Sequence, residues 1–322
     1  MRVLITGGAG FLGQRLARRL LAGDGLIGAD GRKQPITGLT LLDITAAAGF
    51  DDSRVQQVIG DIADPAVLAQ VIDGDTASIF HLAAIVSGQA EADFDLGMRI
   101  NLDASRLLLE RCRIVGHRPK IVFTSSVAVY GGDLPAVVQE DTALNPQSSY
   151  GVQKAIGELL LSDYSRKGFV DGRVLRLPTI SVRPGKPNKA TSSFASGIIR
   201  EPLNGEDALC PVPPDTKLWL LSPRQAIYNL IQGHDIPAEA LGLRRTINVP
   251  GLSVSVAEMV AALSDIAGPE AAARIQWHPD ATITRIVGSW PGAWDTSRAL
   301  ALGLAADASF ADIVRNYIAD DR

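Results

Sequence analysis

The sequence predicts an α/β fold: a Rossmann-type doubly wound parallel sheet with a smaller C-terminal α/β substrate domain. Three observations carry that reading. Apolar runs of strand length alternate with segments of helical period through the first half of the chain, the rhythm of a parallel sheet with helices on both faces. A glycine-rich turn follows the first of these runs and opens a helix. The length of 322 residues, 46% apolar and 20% charged, suits two domains with real cores and excludes disorder or a fibre.

Taken in order, the runs at 3–6, 39–42, 55–59, 78–82 and 121–124 read as strands, with a helix over 11–21 and another through Met98, Leu102 and Leu109. A further helix opens near Tyr150 and runs toward Tyr164. A sixth strand over 173–177 ends at Pro178, which cannot donate to a continuing ladder. From 178 to 214 the composition shifts to Pro, Ser, Asn and Gly, which predicts loops that shape a pocket rather than more sheet. Beyond it, helices over 255–267 and 310–318 accompany short strands near 246–249. The dinucleotide-type domain is therefore expected over 1–177, with a returning segment near 220–250, and the second domain mainly over 178–322.

Several function classes drop out. The net charge is -4, and 31 basic residues are dispersed among 35 acidic ones, so no basic stripe is available for nucleic acid. Cys112 and Cys210 sit in no C-x-x-C or metal spacing and the four histidines are far apart in sequence, so no metal is expected. No apolar run reaches the roughly 18 residues of a membrane span. A strand and a glycine turn within the first ten residues read as the start of the fold rather than a leader, and a cytoplasmic protein is expected. The expected partner is a small molecule.

Gly7-Gly8-Ala9-Gly10-Phe11-Leu12-Gly13 spells G-x-x-G-x-x-G between a strand and a helix. Gly7 suits the tight turn, Gly10 lets the N–H groups of Phe11 and Leu12 approach a pyrophosphate at the positive helix end, and Gly13 lets helix and strand pack closely. A carboxylate should end the second strand about 20 residues on to hold a ribose. Two compete: Asp30, at that distance but among glycines, and Asp43, later but directly after Leu39-Thr40-Leu41-Leu42. Asp43 is preferred, with an insertion before it, and it favours NAD over NADP; were Asp30 the strand end, Arg32 and Lys33 would be placed for a 2'-phosphate. Asp61 and Ile62 follow the third strand where adenine would lie. Ala83 follows the fourth strand, near the nicotinamide ribose. His81 beside it reads as a packed strand residue.

Tyr150 and Lys154 stand at i and i+4 on one helix face. Ser125 and Ser126 end the fifth strand, and strand ends at the carboxyl edge of such a sheet line the ligand crevice. Alcohol oxidation needs a base for the hydroxyl proton, and a free tyrosine has a pKa of about 10. A neighbouring ammonium together with the positive nicotinamide is expected to bring Tyr150 toward the operating pH. Ser126 would hold the substrate oxygen, with Ser125 as a further substrate contact, although strand alternation turns the two apart.

Together, the glycine turn, Ser125-Ser126-Val127-Ala128-Val129-Tyr130-Gly131 and Tyr150-x-x-x-Lys154 resemble the extended short-chain dehydrogenase/reductase family, in its NAD-dependent epimerase/dehydratase branch, over nearly the whole chain. The resemblance implies NAD, Tyr150 as acid/base, Lys154 as its partner and cofactor ligand, and Ser126 as the third member. It implies a structural and proton-relay position for Asn101, and a homodimer through the helices near Asn101 and Tyr150. Where dehydratases of the family carry Thr-Asp-Glu this chain has Ser126-Val127-Ala128, so dehydration is disfavoured. The segment 176–185 departs from the asparagine-bearing segment of nucleotide-sugar epimerases, which leaves 4-epimerisation as the alternative. The segment 176–205 is similar to members that oxidise the C2 hydroxyl of a four-carbon sugar acid, and the reaction this implies is D-erythronate to 2-oxo-tetronate. Arg183 is then the first candidate for the carboxylate and Arg224 the second. Ser87, Asn188 and Ser193 are candidates for the hydroxyls. A non-catalytic dinucleotide sensor is disfavoured, because a sensor has no need of a base beside the nicotinamide.

Overall fold

In Arg2–Thr6 (β1) every residue after Arg2 is buried, as a strand covered on both faces requires. The protein, a computed structural model describing residues 1–186 and 190–322, places this strand inside a seven-stranded parallel sheet, third from one edge. The others are Gly38–Asp43 (β2), Val55–Ile59 (β3), Thr76–His81 (β4), Lys120–Ser126 (β5), Asp171–Leu177 (β6) and Thr246–Asn248 (β7). Their order is β3-β2-β1-β4-β5-β6-β7. Thr6 pairs with Leu42 on one side and His81 on the other. The carboxyl ends of β1, β2 and β4 therefore meet at one edge, where the strand order reverses.

Leu4, Leu42, Ile79, Ile121 and Val174 of the sheet pack with Leu68, Leu108 and Leu161, from the helices Pro65–Val71, Ala104–Val115 and Ser149–Arg166. Each such side chain contributes about 1.5–3 kcal/mol on burial. The insertion expected before β2 is a small hairpin, Leu26–Ile27 against Lys33–Gln34. It sits at the amino edge of the sheet, for the carbonyl of Ile27 accepts from the Nζ of Lys120, the first residue of β5, at 2.9 Å.

The chain forms two units: residues 1–129, 148–176 and 227–247 in the first, and 130–147, 177–226 and 248–322 in the second. The sequence reading runs its first domain unbroken to 177, so it does not separate the excursion 130–147. In the second unit Thr179–Ile180 pairs with Lys217–Leu221, which pairs in turn with Leu252–Ser255. Ile198, Leu218, Met259 and Val314 lie in its core. One expectation needs correction: the stretch 178–214 is not all loop, since it holds the helix Phe194–Leu203 and the short strands Thr179–Ile180 and Ala208–Cys210. The strand near 246–249, in the segment expected to return near 220–250, belongs to the large sheet as β7. Among the described residues no helix is long and apolar enough to cross a membrane.

The helix Val256–Ala267 starts with a reciprocal cap: Glu258 N–H donates to Ser255 Oγ at 3.2 Å, and Ser255 N–H donates to Glu258 Oε2 at 2.6 Å. Ser255→Ala removes the side-chain half and should lower the unfolding free energy by about 1 kcal/mol, read as an earlier urea midpoint. An unchanged midpoint would mean that other contacts hold this helix end.

Candidate active site

The glycine turn is shaped by lack of room. Gly7 has φ +71°, and a Cβ there would lie 2.8 Å from the backbone nitrogen of Ala83, just after β4. A Cβ on Gly13 would lie 2.1 Å from the Gly7 carbonyl. Gly10 is exposed and precedes the helix Phe11–Leu21, whose first turn has neither a side-chain cap nor an acidic residue. The first bond of this helix runs from Gln14 N–H to Gly10 O at 2.9 Å, so the N–H groups of Phe11, Leu12 and Gly13 come before its ladder begins. An uncapped positive helix end beside a glycine with no side chain fits a pyrophosphate.

Asp43 is tied to this turn. Its Oδ2 accepts from Ala9 N–H at 3.0 Å and its Oδ1 from Ile44 N–H at 2.8 Å. Asp30 lies in the hairpin, where it accepts from Arg32 N–H at 3.0 Å and the Gln34 amide at 3.1 Å. Of the two acids, Asp43 is the one at the carboxyl edge. Asp61, after β3, accepts from Ala63 N–H at 2.8 Å and pairs with Arg99, while Ile62 is buried beside it. Ala83 N–H donates to Thr6 Oγ1 at 3.3 Å, and Ser87 starts the helix Ser87–Ala92 that follows. His81 is buried between Thr6 Oγ1 at 2.7 Å and Ser105 Oγ at 2.9 Å. Burial, with Lys154 adding to it, pushes the imidazole down to about 3, so it is neutral and serves packing.

The helix Ser149–Arg166 begins at Ser148, whose hydroxyl accepts from Gly151 N–H at 3.2 Å. Tyr150 is half-buried in its first turn. Lys154, one turn on, is 2% exposed; its Nζ donates to the Thr124 carbonyl at 2.9 Å and sits 4.7 Å from the Phe123 ring centre and 5.7 Å from that of Tyr150. Ser126 hydrogen-bonds the Tyr150 hydroxyl, and its Oγ accepts from Ala128 N–H at 3.1 Å. The structure thus brings Tyr150, Lys154 and Ser126 together. Burial pushes the Tyr150 phenol up to about 12 despite the bond from Ser126, and it brings Lys154 down to about 8 against the pull of Glu158. Burial by itself thus moves the phenol away from the operating pH; the sequence reading counts on the positive nicotinamide as well as the lysine to bring it there.

A second correction concerns Ser125. Strand alternation buries it on the side away from Ser126, where its hydroxyl donates to Glu158 Oε1 at 2.5 Å, so it is not placed as a substrate contact. Asn101 lies in a π-helical turn, Met98–Asp103. Its amide brackets Ile85, accepting from the N–H at 2.7 Å and donating to the carbonyl at 3.1 Å, and also donates to Gln153 at 2.7 Å. Sequence reasoning missed Glu158 itself; its signal is a further i+4 step beyond Lys154.

In the second unit, Arg183 is half-buried. Its backbone N–H donates to Ser196 Oγ at 3.1 Å and its carbonyl accepts from Arg200 at 2.8 Å. Burial first, and Arg200 next, disfavour its charge. Arg224, the other candidate, forms a surface ion pair with Asp320 at 2.6 Å, so its guanidinium is already committed. Ser193 lies in the turn Thr191–Ser193 that leads into Phe194–Leu203; Asn188 lies outside the described residues. Among the described residues no group of three or more His, Cys, Asp or Glu side chains could hold a metal ion.

Residues 3–223 match the NAD dependent epimerase/dehydratase family. The chain is 66% identical over 320 residues to a D-erythronate dehydrogenase of Cupriavidus necator, covering 99% of this chain and 98% of that one. It is 47% identical over 322 residues to a D-erythronate dehydrogenase of Haemophilus influenzae, covering 100% of both. A crystal structure described as the nucleoside-diphosphate-sugar epimerase from Agrobacterium tumefaciens matches with a TM-score of 0.92 at 44% identity, over 100% of this chain and 94% of that one.

Gly7→Ala forces a left-handed residue and a backbone clash together, and should destabilise the fold by about 1–3 kcal/mol. Urea unfolding measures it; a loss under about 0.5 kcal/mol, the range of ordinary surface changes, would show that the Ala83 segment yields.

Proposed function

This chain belongs to the NAD dependent epimerase/dehydratase family, and from that premise we propose that it is an NAD-dependent oxidoreductase converting D-erythronate to 2-oxo-tetronate, with Tyr150 as the base. The observation that carries the substrate is whole-length likeness to two proteins named D-erythronate dehydrogenase. The chemistry follows from the grouping of Tyr150, Lys154 and Ser126.

The N–H groups of Phe11, Leu12 and Gly13 at the uncapped helix would hold the pyrophosphate, with Gly7 and Gly10 keeping the backbone close. Asp43 would accept the adenine-side ribose hydroxyls and repel a 2'-phosphate. Asp61 and Ile62 would flank the adenine, and Ala83 leaves room for the nicotinamide ribose. Lys154 has three donors and gives one to Thr124, which leaves two to aim at that ribose and the phenol. Bound NAD would supply the hydride acceptor and a positive charge. Each unit by which the phenol falls from about 12 is worth about 1.4 kcal/mol of preference for the phenolate, and both positive charges act in that direction. Tyr150 would take the C2 hydroxyl proton as the C2 hydrogen leaves as hydride to that acceptor, while Ser126 would hold the oxygen that becomes the ketone. Ser87 and Ser193 are assigned to substrate hydroxyls. Arg183 is assigned to the carboxylate, because a half-buried guanidinium near Arg200 favours an anion.

A second reading, nucleotide-sugar epimerisation, is favoured by the description of the Agrobacterium structure. One assay separates the two: NADH absorbance with NAD and a panel of D- and L-tetronates, beside a UDP-sugar control. NADH should form with D-erythronate, to a larger final yield as pH rises because the oxidation releases a proton. Silence on every tetronate, with interconversion of the UDP-sugar, gives the answer to the epimerase. Tyr150→Phe should lower kcat by about 10²–10⁴-fold with NAD binding kept; a kcat near wild type would remove Tyr150 from its role. Asp43→Ala should weaken NAD about tenfold, the scale of one hydrogen bond to a charged group, and leave NADP affinity the same or better. Equal loss for both cofactors would assign Asp43 to the glycine turn alone.

A further inference from the structure

Behind Tyr150 and Lys154 lies a second set of buried charges that the reaction does not touch. Glu158 follows Lys154 by one helical turn and shares its face; it is 2% exposed. Arg176 on β6, 4% exposed, grips both carboxylate oxygens, with Nε at 2.9 and 3.1 Å and the terminal nitrogen at 2.6 Å from Oε2. Ser125 donates to the same carboxylate from β5 at 2.5 Å. A buried ion pair is weak evidence for stability, since apolar residues of equal volume often serve as well. Its place in the site is therefore informative.

Lys154 presents the complementary problem. Its ammonium is out of water, and its hydrogen bond goes to a neutral carbonyl. The titratable and charged groups around it come from three elements: Tyr150 and Glu158 on its own helix, His81 on β4, and Arg176 on β6. The residues of β5 that it touches, Thr124 through its carbonyl and Phe123 through its ring, carry no charge. His81 is neutral, and Arg176 is engaged with Glu158. Glu158 is thus the carboxylate in this set, and it opposes the loss of a proton that burial drives at Lys154.

We propose that Glu158 is a positioning residue: gripped by Arg176 and Ser125, it is the counter-charge that keeps the Lys154 ammonium protonated during turnover. The same grip turns Ser125 inward and so leaves Ser126 toward Tyr150. The inference rests on the dehydrogenase reading for its meaning in turnover, but its test reads Lys154 directly. Protein labelled with ¹³C at lysine Cε is titrated by NMR, with Lys154→Arg identifying the resonance. Wild type, Glu158→Gln, Glu158→Asp and the double variant Glu158→Gln/Arg176→Gln are compared, and kcat/KM for D-erythronate is followed over the same pH range.

The Lys154 midpoint should fall by about one pH unit or more in Glu158→Gln, as expected when an opposite charge is removed from a buried site. The alkaline limb of kcat/KM should move down with it, and Glu158→Asp should recover part of both. Glu158→Gln leaves a buried arginine unpaired and risks the fold; the double variant removes that arginine and should show a smaller shift in the same direction, because a positive charge leaves with the negative one. A midpoint that stays in place in whichever variant folds overturns the proposal, as does a midpoint that moves while the alkaline limb does not. A shifted midpoint in a protein silent on D-erythronate upholds Glu158 as the counter-charge and sinks the substrate reading instead.

Discussion

The carboxyl ends of β1, β2 and β4 converge on the backbone of Gly7, and their convergence leaves no space for a side chain there. The Ala83 segment presses from one side; on the other, Gly8 N–H bonds the Leu42 carbonyl at 3.1 Å and Asp43 takes the Ala9 N–H. Parallel pairing imposes this arrangement. Strands that run the same way end at the same edge, and each must be left by a connection that crosses back over the sheet. At that edge the turn, the acid and the start of the helix Phe11–Leu21 hold one another in place, so a ligand meets a frame already fixed.

On the other side of the reversal in strand order the problem is electrical rather than steric. The proposed mechanism needs Lys154 charged and close to Tyr150, yet Lys154 is enclosed and Tyr150 half-buried. Burial raises the phenol and lowers the ammonium, so each moves away from the form that this mechanism calls for. Thr124 O, the Phe123 ring and the Glu158 carboxylate each favour the charged lysine, but differently: a dipole, a ring quadrupole and a full counter-charge. His81, also buried, avoids the conflict by staying neutral between two hydroxyls. That neutrality matters because a protonated imidazole next to Lys154 would work against it.

What the sequence made legible is what is local. The glycine turn, the Tyr150 and Lys154 spacing and the strand Leu39-Thr40-Leu41-Leu42 before Asp43 each show within a few residues, because one turn or one helix face defines them. Membership of the family was legible through the same residues. The Glu158 grip was not, since Arg176 lies 18 residues away along the chain and only strand pairing brings it back. Ser125 was half legible: alternation sets it apart from Ser126, but its destination depends on Glu158. The helix Phe194–Leu203 hid behind serines at its start and Pro202 at its end, which read as loop. The excursion 130–147 has no composition of its own to mark it as part of the second unit.

The hairpin of Leu26–Ile27 and Lys33–Gln34 shows that distance along a chain is a poor ruler inside a sheet. It pushes Asp43 well past the customary spacing from the glycine turn, yet Asp43 still reaches Ala9, because β2 lies beside β1 whatever length of chain is spent between them. The tip is exposed at Gly31 and at Arg32 beside it; Gly31 sits at φ +75°, which favours glycine, so Arg32 is the position to replace. Since the hairpin is fastened to the amino edge, its tip offers an anchorage for a fluorophore or a surface tether, with the length of the strands standing between the attachment and the carboxyl edge.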